Sequence, residues 1–539
     1  MPDVVMDAIE IVPCRPWPRH VLAPETWAAF ISEVPAAGLV LTALWADTQQ
    51  VHALFLAPAA LTASTLTAPT LASPTLASPT LPSAIPPSAR ASTSPTSADG
   101  ALAAPPAIAI STAVEHGHYP ALSPVLPVAA PYERMLADLW GHVAEGAVDP
   151  RPWLDHGQWT HMHPMAPRPI PTPPASEFDG LLETEEPLMQ LGLGPIHGRI
   201  TEAARLMLLV RDGTVAVADP MLGFCHKGTL TLMRGKSPRN AARFAARLSG
   251  DATVAHALAF ARAAEAAQQA EPPPRARALR GAMLELERVA GHLDTLGEVA
   301  RLAETQAVWT RCGLLRERLL RASQRAFGHR LMMDCVVPGG VALDIDPSGA
   351  EVILRALGEI ANDLPLLRRL HDGTTLAGRL NGLARADLAL MRACGTSGPV
   401  ARACGASFDA RLLDRAGTFG TVTAPPDGSG DALCRQRLRI EEISVSLGLI
   451  AAALQALPEG PLTVALPHDS GEGFGCAESL RGDVWHWVRL DHGQIAACFA
   501  RDPGWALWPA AQALLLNTGV EDVDLIRASL ALPASGMDL

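Results

Sequence analysis

Nine cysteines punctuate the 539-residue chain, at 14, 225, 312, 335, 394, 404, 434, 476 and 498, and the closest two are ten positions apart. Zinc and iron–sulfur sites draw thiolates from close sets such as Cys-x-x-Cys. The spacing therefore argues against such a site within this chain, and for reduced, buried thiols. The remaining chemistry must come from histidines and carboxylates. His226 and His256 are candidate proton donors near neutral pH, where an imidazole titrates. His197 ends the turn Gly194-Pro-Ile-His197, where a histidine can equally bond the backbone. Downstream of Pro272-Pro-Pro274, Glu285, Arg288 and His292 fall three and four apart and share one helix face. Leu279, Met283, Leu286 and Leu293 form the opposing apolar stripe.

The elements that carry these residues follow from composition and periodicity. Hydrophobic residues make up 48% and charged residues 18%, a globular balance, and the net charge of -12 disfavours a phosphate-binding surface. The most apolar run, Val445 to Leu457, is too short to span a bilayer and reads as a buried helix. The N-terminus has no secretory pattern, so a cytoplasmic location is expected. Pro24 to Ile31 suits a short helix; Leu39 to Trp45 and Val51 to Leu56 suit strands. Residues 57–106 are almost all Ala, Pro, Ser, Thr and Leu, a composition expected to be extended or disordered. Tyr132 to His142 reads as an amphipathic helix ending at glycine, and Pro164 to Pro174 as part of a linker. Strands are expected over Ile200–Leu209 and Val215–Ala218, then helices over 274–306, 308–327, 349–371, 383–394 and 431–457. Strands return at Asp483–Leu490 and Gln494–Ala500.

Six phrases together carry a family resemblance. They are Gly194-Pro-Ile-His197, Leu222-Gly-Phe-Cys-His-Lys-Gly228, Glu285-Leu-Glu-Arg288 with His292-Leu293, Pro338-Gly-Gly-Val341, Gly398-Pro-Val-Ala-Arg402 and Glu478-Ser-Leu-Arg-Gly482. In this order they resemble the shared family of the complex I quinone-site subunit and the nickel–iron hydrogenase large subunit. Tyr119-Pro-Ala-Leu-Ser-Pro124 and Tyr132 to Gly141 resemble the small partner subunit of complex I. Its fusion ahead of the large region, with Arg501-Asp-Pro-Gly-Trp505 near the end, is similar to the formate-hydrogenlyase branch. The resemblance implies an α+β fold: a mainly helical large-subunit-like domain with small sheets at its ends, plus a small N-terminal α+β domain. It divides the chain into 1–56 with 107–163 (small partner), 57–106 (insertion), 164–185 (linker) and 186–539 (large domain).

The resemblance also implies site residues. Nickel–iron centres need four soft thiolates in two Cys-x-x-Cys pairs. The corresponding positions here are Ser249 and Ala252, and Pro533 and Gly536. No active hydrogenase metal is expected. The complex I branch uses the vacated space for a quinone head group held by a histidine, matched by His197, and a tyrosine that has no counterpart, since Tyr119 and Tyr132 lie in the small-partner region. Ser249 and His256 join His197 as quinone-cavity candidates. Glu202 matches a proton-passing glutamate and joins His197 and His226 as catalytic candidates. Glu285, Arg288 and His292 are expected near an iron–sulfur cluster of a partner. Arg402, Asp409, Arg411, Glu478 and Arg481 are expected to form a structural ion network. Two functions follow. One is a peripheral subunit, on the cytoplasmic face of a membrane, of an NADH:quinone-oxidoreductase-like complex. It would bind no cofactor except a quinone and dock on an iron–sulfur small subunit and membrane subunits. The other is a redox-inactive scaffold of an ion-moving complex.

Overall fold

A computed structural model describes residues 8–58, 106–171, 188–197, 202–373, 375–413 and 428–539. Most of the proline-rich insertion and of the expected linker lies outside the described residues, as do 198–201 at the start of the expected strand Ile200–Leu209.

A five-stranded sheet is built from β1 (Glu10–Val12), β3 (Arg19–Leu22), β4 (Val40–Ala46), β5 (Gln50–Leu56) and β6 (Ala107–Ala113), in the order β1-β3-β6-β5-β4. Strands β4 and β5 are near-continuous apolar runs because both faces are covered, by α1 (Pro24–Glu33) and by the rest of the chain. Strands β5 and β6 are antiparallel neighbours with Leu56 opposite Ala107, so the two ends of the insertion meet. Helix α2 (Ala130–Trp140) stops where Gly141 takes a left-handed conformation, φ 74°.

A three-stranded sheet follows, β7 (Met189–Leu193), β8 (Arg205–Arg211) and β9 (Thr214–Met221). The helical body comprises α3 (Thr253–Gln268), α4 (Pro274–Leu302), α5 (Gln306–Phe327), α6 (Pro347–Asp372) and α7 (Ala432–Gln455). Of the helix expected over 383–394 only Leu388–Ala393 forms, and a separate short helix, Thr375–Leu380, precedes it. Gly382 and Ala384 both have positive φ, and the Asp387 carboxylate accepts from Leu390 N–H to start the second helix afresh. The closing sheet is β10 (Gly471–Glu478), β11 (Asp483–Asp491) and β12 (Gln494–Arg501), followed by α8 (Gly504–Leu515) and α9 (Val523–Leu530).

Two features position the interior. First, the two-residue strand β2 (Cys14–Arg15) pairs in parallel with β10, and the Arg19 guanidinium grips Glu472 in a buried bidentate pair at 2.8 and 3.0 Å. The N-terminal strands and the closing sheet thus share one apolar core, in which Trp45 packs against Trp487, Phe474 and Phe499. Second, α3 lies directly on β10. A Cβ at Gly473 or Gly475 would collide with the carbonyls of Ala263 and Ala259, so only glycine allows this approach. The architecture is the α+β arrangement expected, mainly helical with small sheets. None of the described helices is long and apolar enough to cross a membrane.

Candidate functional site

Helix α4 begins after two prolines that suit its first turn, and it is buried on nearly every side by α5, α7 and α9. Glu285, Arg288 and His292 are each 0% exposed. They therefore form no solvated face. They turn inward onto Glu442 of α7, which accepts from Arg288 at 2.6 Å, from His292 Nε2 at 2.9 Å and from Arg402 at 2.7 and 3.0 Å. Glu285 accepts from Arg411 at 3.1 Å and from Ser446 at 2.6 Å. Arg402 also reaches Glu478 at 2.8 Å, and Arg411 holds Asp409. Arg481 stands apart, pairing with Asp251 instead.

The charge states follow from burial and partners. Burial alone would raise Glu442 and Glu285, but the facing guanidiniums outweigh it and hold both carboxyls below their usual range. Burial pushes His292 down to about 4 despite its bond to Glu442, so the ring is neutral at physiological pH. Glu478 is pushed up to about 7 by burial and by the Asp409 charge.

A second cluster occupies the places where the family resemblance puts metal ligands. Ser249 is buried and donates to Asp251 at 2.9 Å. Asp251 in turn takes both arms of Arg481. His256 is buried, with Nε2 donating to Asp502 at 3.1 Å and Nδ1 in a hydrogen bond of 3.1 Å with His486 Nε2. Burial and the neighbouring His256 ring push His486 well below its usual range. Asp502 stays ionised because His256 and Arg481 outweigh its burial. Gly536 lies against the Asp502 side chain so closely that any Cβ there would collide with it. Ser249, Ala252, Pro533 and Gly536 supply no thiolate, so these residues do not fit a nickel–iron centre. No group of three or more His, Cys, Asp or Glu side chains suited to a metal occurs among the described residues.

The remaining candidates are scattered. Glu202 accepts from Ala534 N, Ser535 N and Ser535 Oγ at 2.6, 2.8 and 2.5 Å, pinning Pro533–Leu539. His226 Nδ1 bonds Asp538 O, its ring packs on Trp159, and burial lowers its pKa. His197 sits half-buried in the turn after β7, beside Ile196, which is 94% exposed. A polar cavity of about 120 Å³ is lined by Glu202, Asp251, Asp294, Glu298, Arg481 and Arg527 among others, but not by His197, Ser249 or His256. The structure thus gathers α4 with the Arg402–Glu478 set, and does not gather the three quinone candidates. Sequence reasoning missed Glu442, Asp251, Asp502 and His486. Glu442 ends the charged run Arg435 to Glu442 inside an otherwise apolar helix, which was a usable signal; His486 offered none.

Residues 304–469 match the family model for the 49 kDa subunit of respiratory-chain NADH dehydrogenase, and 227–294 match the model for nickel-dependent hydrogenases. The large C-terminal part is related to both. The chain is 26% identical over 436 residues to formate hydrogenlyase subunit 5 of Escherichia coli (strain K12), covering 76% of this chain and 75% of that one. It is 28% identical over 328 residues to the membrane-bound hydrogenase subunit alpha of Pyrococcus furiosus, covering 57% and 76%. Among solved structures, a chain of the membrane-bound sulfane sulfur reductase, an archaeal respiratory membrane complex, superposes with a TM-score of 0.61 at 22% identity. That likeness covers 66% of this chain and all of the other, and it establishes the shared fold. By their names these relatives are parts of a formate hydrogenlyase, a membrane-bound hydrogenase and an archaeal respiratory membrane complex.

Proposed function

We propose that this chain is a metal-free, peripheral subunit of a complex I-like or formate-hydrogenlyase-like membrane assembly, on its cytoplasmic face. Within that assembly it acts as a charged scaffold rather than as the redox site. The observation that carries this reading is the occupant of the vacated metal position. Asp251 in an ion pair with Arg481, and Asp502 hydrogen-bonded to His256, fill it with polar side chains, and Gly536 closes against Asp502. Such a set carries no electron. The nearby cavity of about 120 Å³ has room for a few waters, against the roughly 300–1,000 Å³ typical of a ligand pocket. None of His197, Ser249 and His256 lines that cavity, which supports the scaffold reading over quinone binding. Electrons would instead pass through an iron–sulfur partner subunit, with membrane subunits beneath.

The test is affinity purification from membranes through a tag on this chain. The expected result is co-purification of membrane subunits and a cluster-bearing partner, less than a tenth of an equivalent of nickel by elemental analysis, and no photolabel on this chain from a quinone analogue. Stoichiometric nickel, or labelling at His197, would overturn the scaffold reading. Recovery of the chain alone from gently solubilised membranes would overturn the assembly reading.

A further inference from the structure

Among the described residues eleven arginines are buried, and nine of them ion-pair with a carboxylate. Arg435 and Arg439 are the two without an ion pair among the described residues. Both are 0% exposed and they sit one turn apart on the same face of α7. Their satisfied donors go only to neutral acceptors. Arg435 donates to Ala384 O, Gly430 O and Ser529 Oγ at 2.9–3.0 Å. Arg439 donates to Leu480 O at 3.1 Å and meets His292 Nδ1 at 3.2 Å. Arg435 Nε, Arg439 Nε and Arg439 Nη2 have no hydrogen-bond partner among the described residues. Gln436, between them and also 0% exposed, has no partner for either side-chain atom.

Two guanidiniums remain charged under any physiological condition, and a buried charge without a counter-charge is strongly unfavourable. The neighbouring carboxylates are already committed. Glu442 is bonded by Arg288, His292 and Arg402, while Asp431 accepts from Gly382 N, Cys434 N and Ser429. The other charged neighbours, Arg288 and Arg481, add positive potential. Burial accordingly pulls Arg435 to about 10 and Arg439 to about 9, the direction expected of cations lacking a counter-ion. Four of the five unpartnered atoms are N–H donors, all on fully buried side chains within one turn of α7.

We propose that the α7 face bearing Arg435, Gln436 and Arg439 binds a small inorganic monoanion of the halide class inside the protein. Full enclosure of all three side chains excludes phosphate-sized ions. A halide accepts from every N–H present and neutralises charge, which water does not. The site lies one residue layer from Glu442, so its occupant also sets the potential felt by His292.

The experiment uses the purified full-length chain, dialysed into sodium gluconate and titrated with sodium chloride, sodium bromide or sodium sulfate at constant ionic strength. A ligand bound only by the folded state raises the unfolding midpoint as its concentration climbs past Kd, here by about 2 °C at a hundredfold excess over Kd. Chloride and bromide should do so and sulfate should not. Gln436→Leu, which keeps both arginines and the buried packing, should weaken the halide response at least tenfold in concentration. Crystals grown in bromide should give an anomalous peak between Arg435 and Arg439. A midpoint indifferent to halide, or density showing water alone there, overturns the proposal. Should Gln436→Leu fail to fold, the wild-type titration and the bromide peak decide it alone.

Discussion

Replacing Glu442 by Gln tests whether the buried network is held by charge. The substitution keeps shape but removes the one negative charge that Arg288, His292 and Arg402 share. Removing one partner of a buried ion pair costs about 3–5 kcal/mol, since the opposite charge stays in the interior. Unfolding entropy near 60 °C is about 2 cal/mol/K per residue. For 539 residues unfolding as one unit that is about 1.1 kcal/mol/K. The midpoint of Glu442→Gln should therefore fall by about 3–4 °C, and by more if only the helical body unfolds together. The pH dependence has a definite sign. Glu442 is held below its usual range, so its contribution is full above the unfolded carboxylate pKa and is lost as acid protonates it. The gap between wild type and variant should be widest near pH 7 and shrink below about pH 4. Scanning calorimetry across pH measures both. Breaking the exposed pair Arg355–Glu351 supplies the control, with no measurable change expected. A variant within 1 °C of wild type at pH 7 would refute the claim that charge, and not packing, holds this interior.

Glu287 caps the N-terminus of α3 through the N–H groups of Val254 and Ala255, yet burial pushes its carboxyl up to about 8. A raised acid loses stability as pH climbs from its unfolded value through the folded one, so Glu287→Gln should flatten the fall in midpoint between about pH 5 and 9. Replacing 59–105 by a few glycines should leave the midpoint within about 2 °C, because Leu56 and Ala107 already face each other across β5 and β6. Loss of the membrane complex in that variant, with folding intact, would show that the insertion holds a partner. Glu202→Ala removes three hydrogen bonds from Ala534 and Ser535; amide exchange at those two residues should accelerate at least tenfold, and unchanged protection would show that Glu202 is not what fixes them.

The fold class and most long elements were legible in the sequence because prolines, glycines and apolar periodicity mark them locally. Helix α4 is the clear case: Pro274 opens it, and its charged spacing identified Glu285, Arg288 and His292 as one face. What that spacing could not say is where the face points. A face of Glu, Arg and His looks the same whether it meets solvent or the Arg402–Glu442–Glu478 set, and those partners lie more than a hundred residues downstream. His256 was visible as a titratable residue, but its partners, His486 on β11 and Asp502 just after β12, are brought beside it by the glycine-mediated approach of α3 to β10. The late start of the second short helix at Asp387, after Ala384 with its positive φ, was hidden because the surrounding composition still favours helix.

The pairing of Arg19 with Glu472 bears on how the chain is made. A ribosome adds about 5–20 residues per second, so roughly 20–90 s separate the emergence of these two side chains. Throughout that interval the first strands have no β10 beside β2, and a guanidinium destined for the interior stands without its carboxylate. The N-terminal sheet must therefore wait, partly assembled and with apolar strands β4 and β5 exposed to other nascent chains, until the last sheet is synthesised. Production of this protein should depend on chaperone capacity more steeply than its final stability suggests.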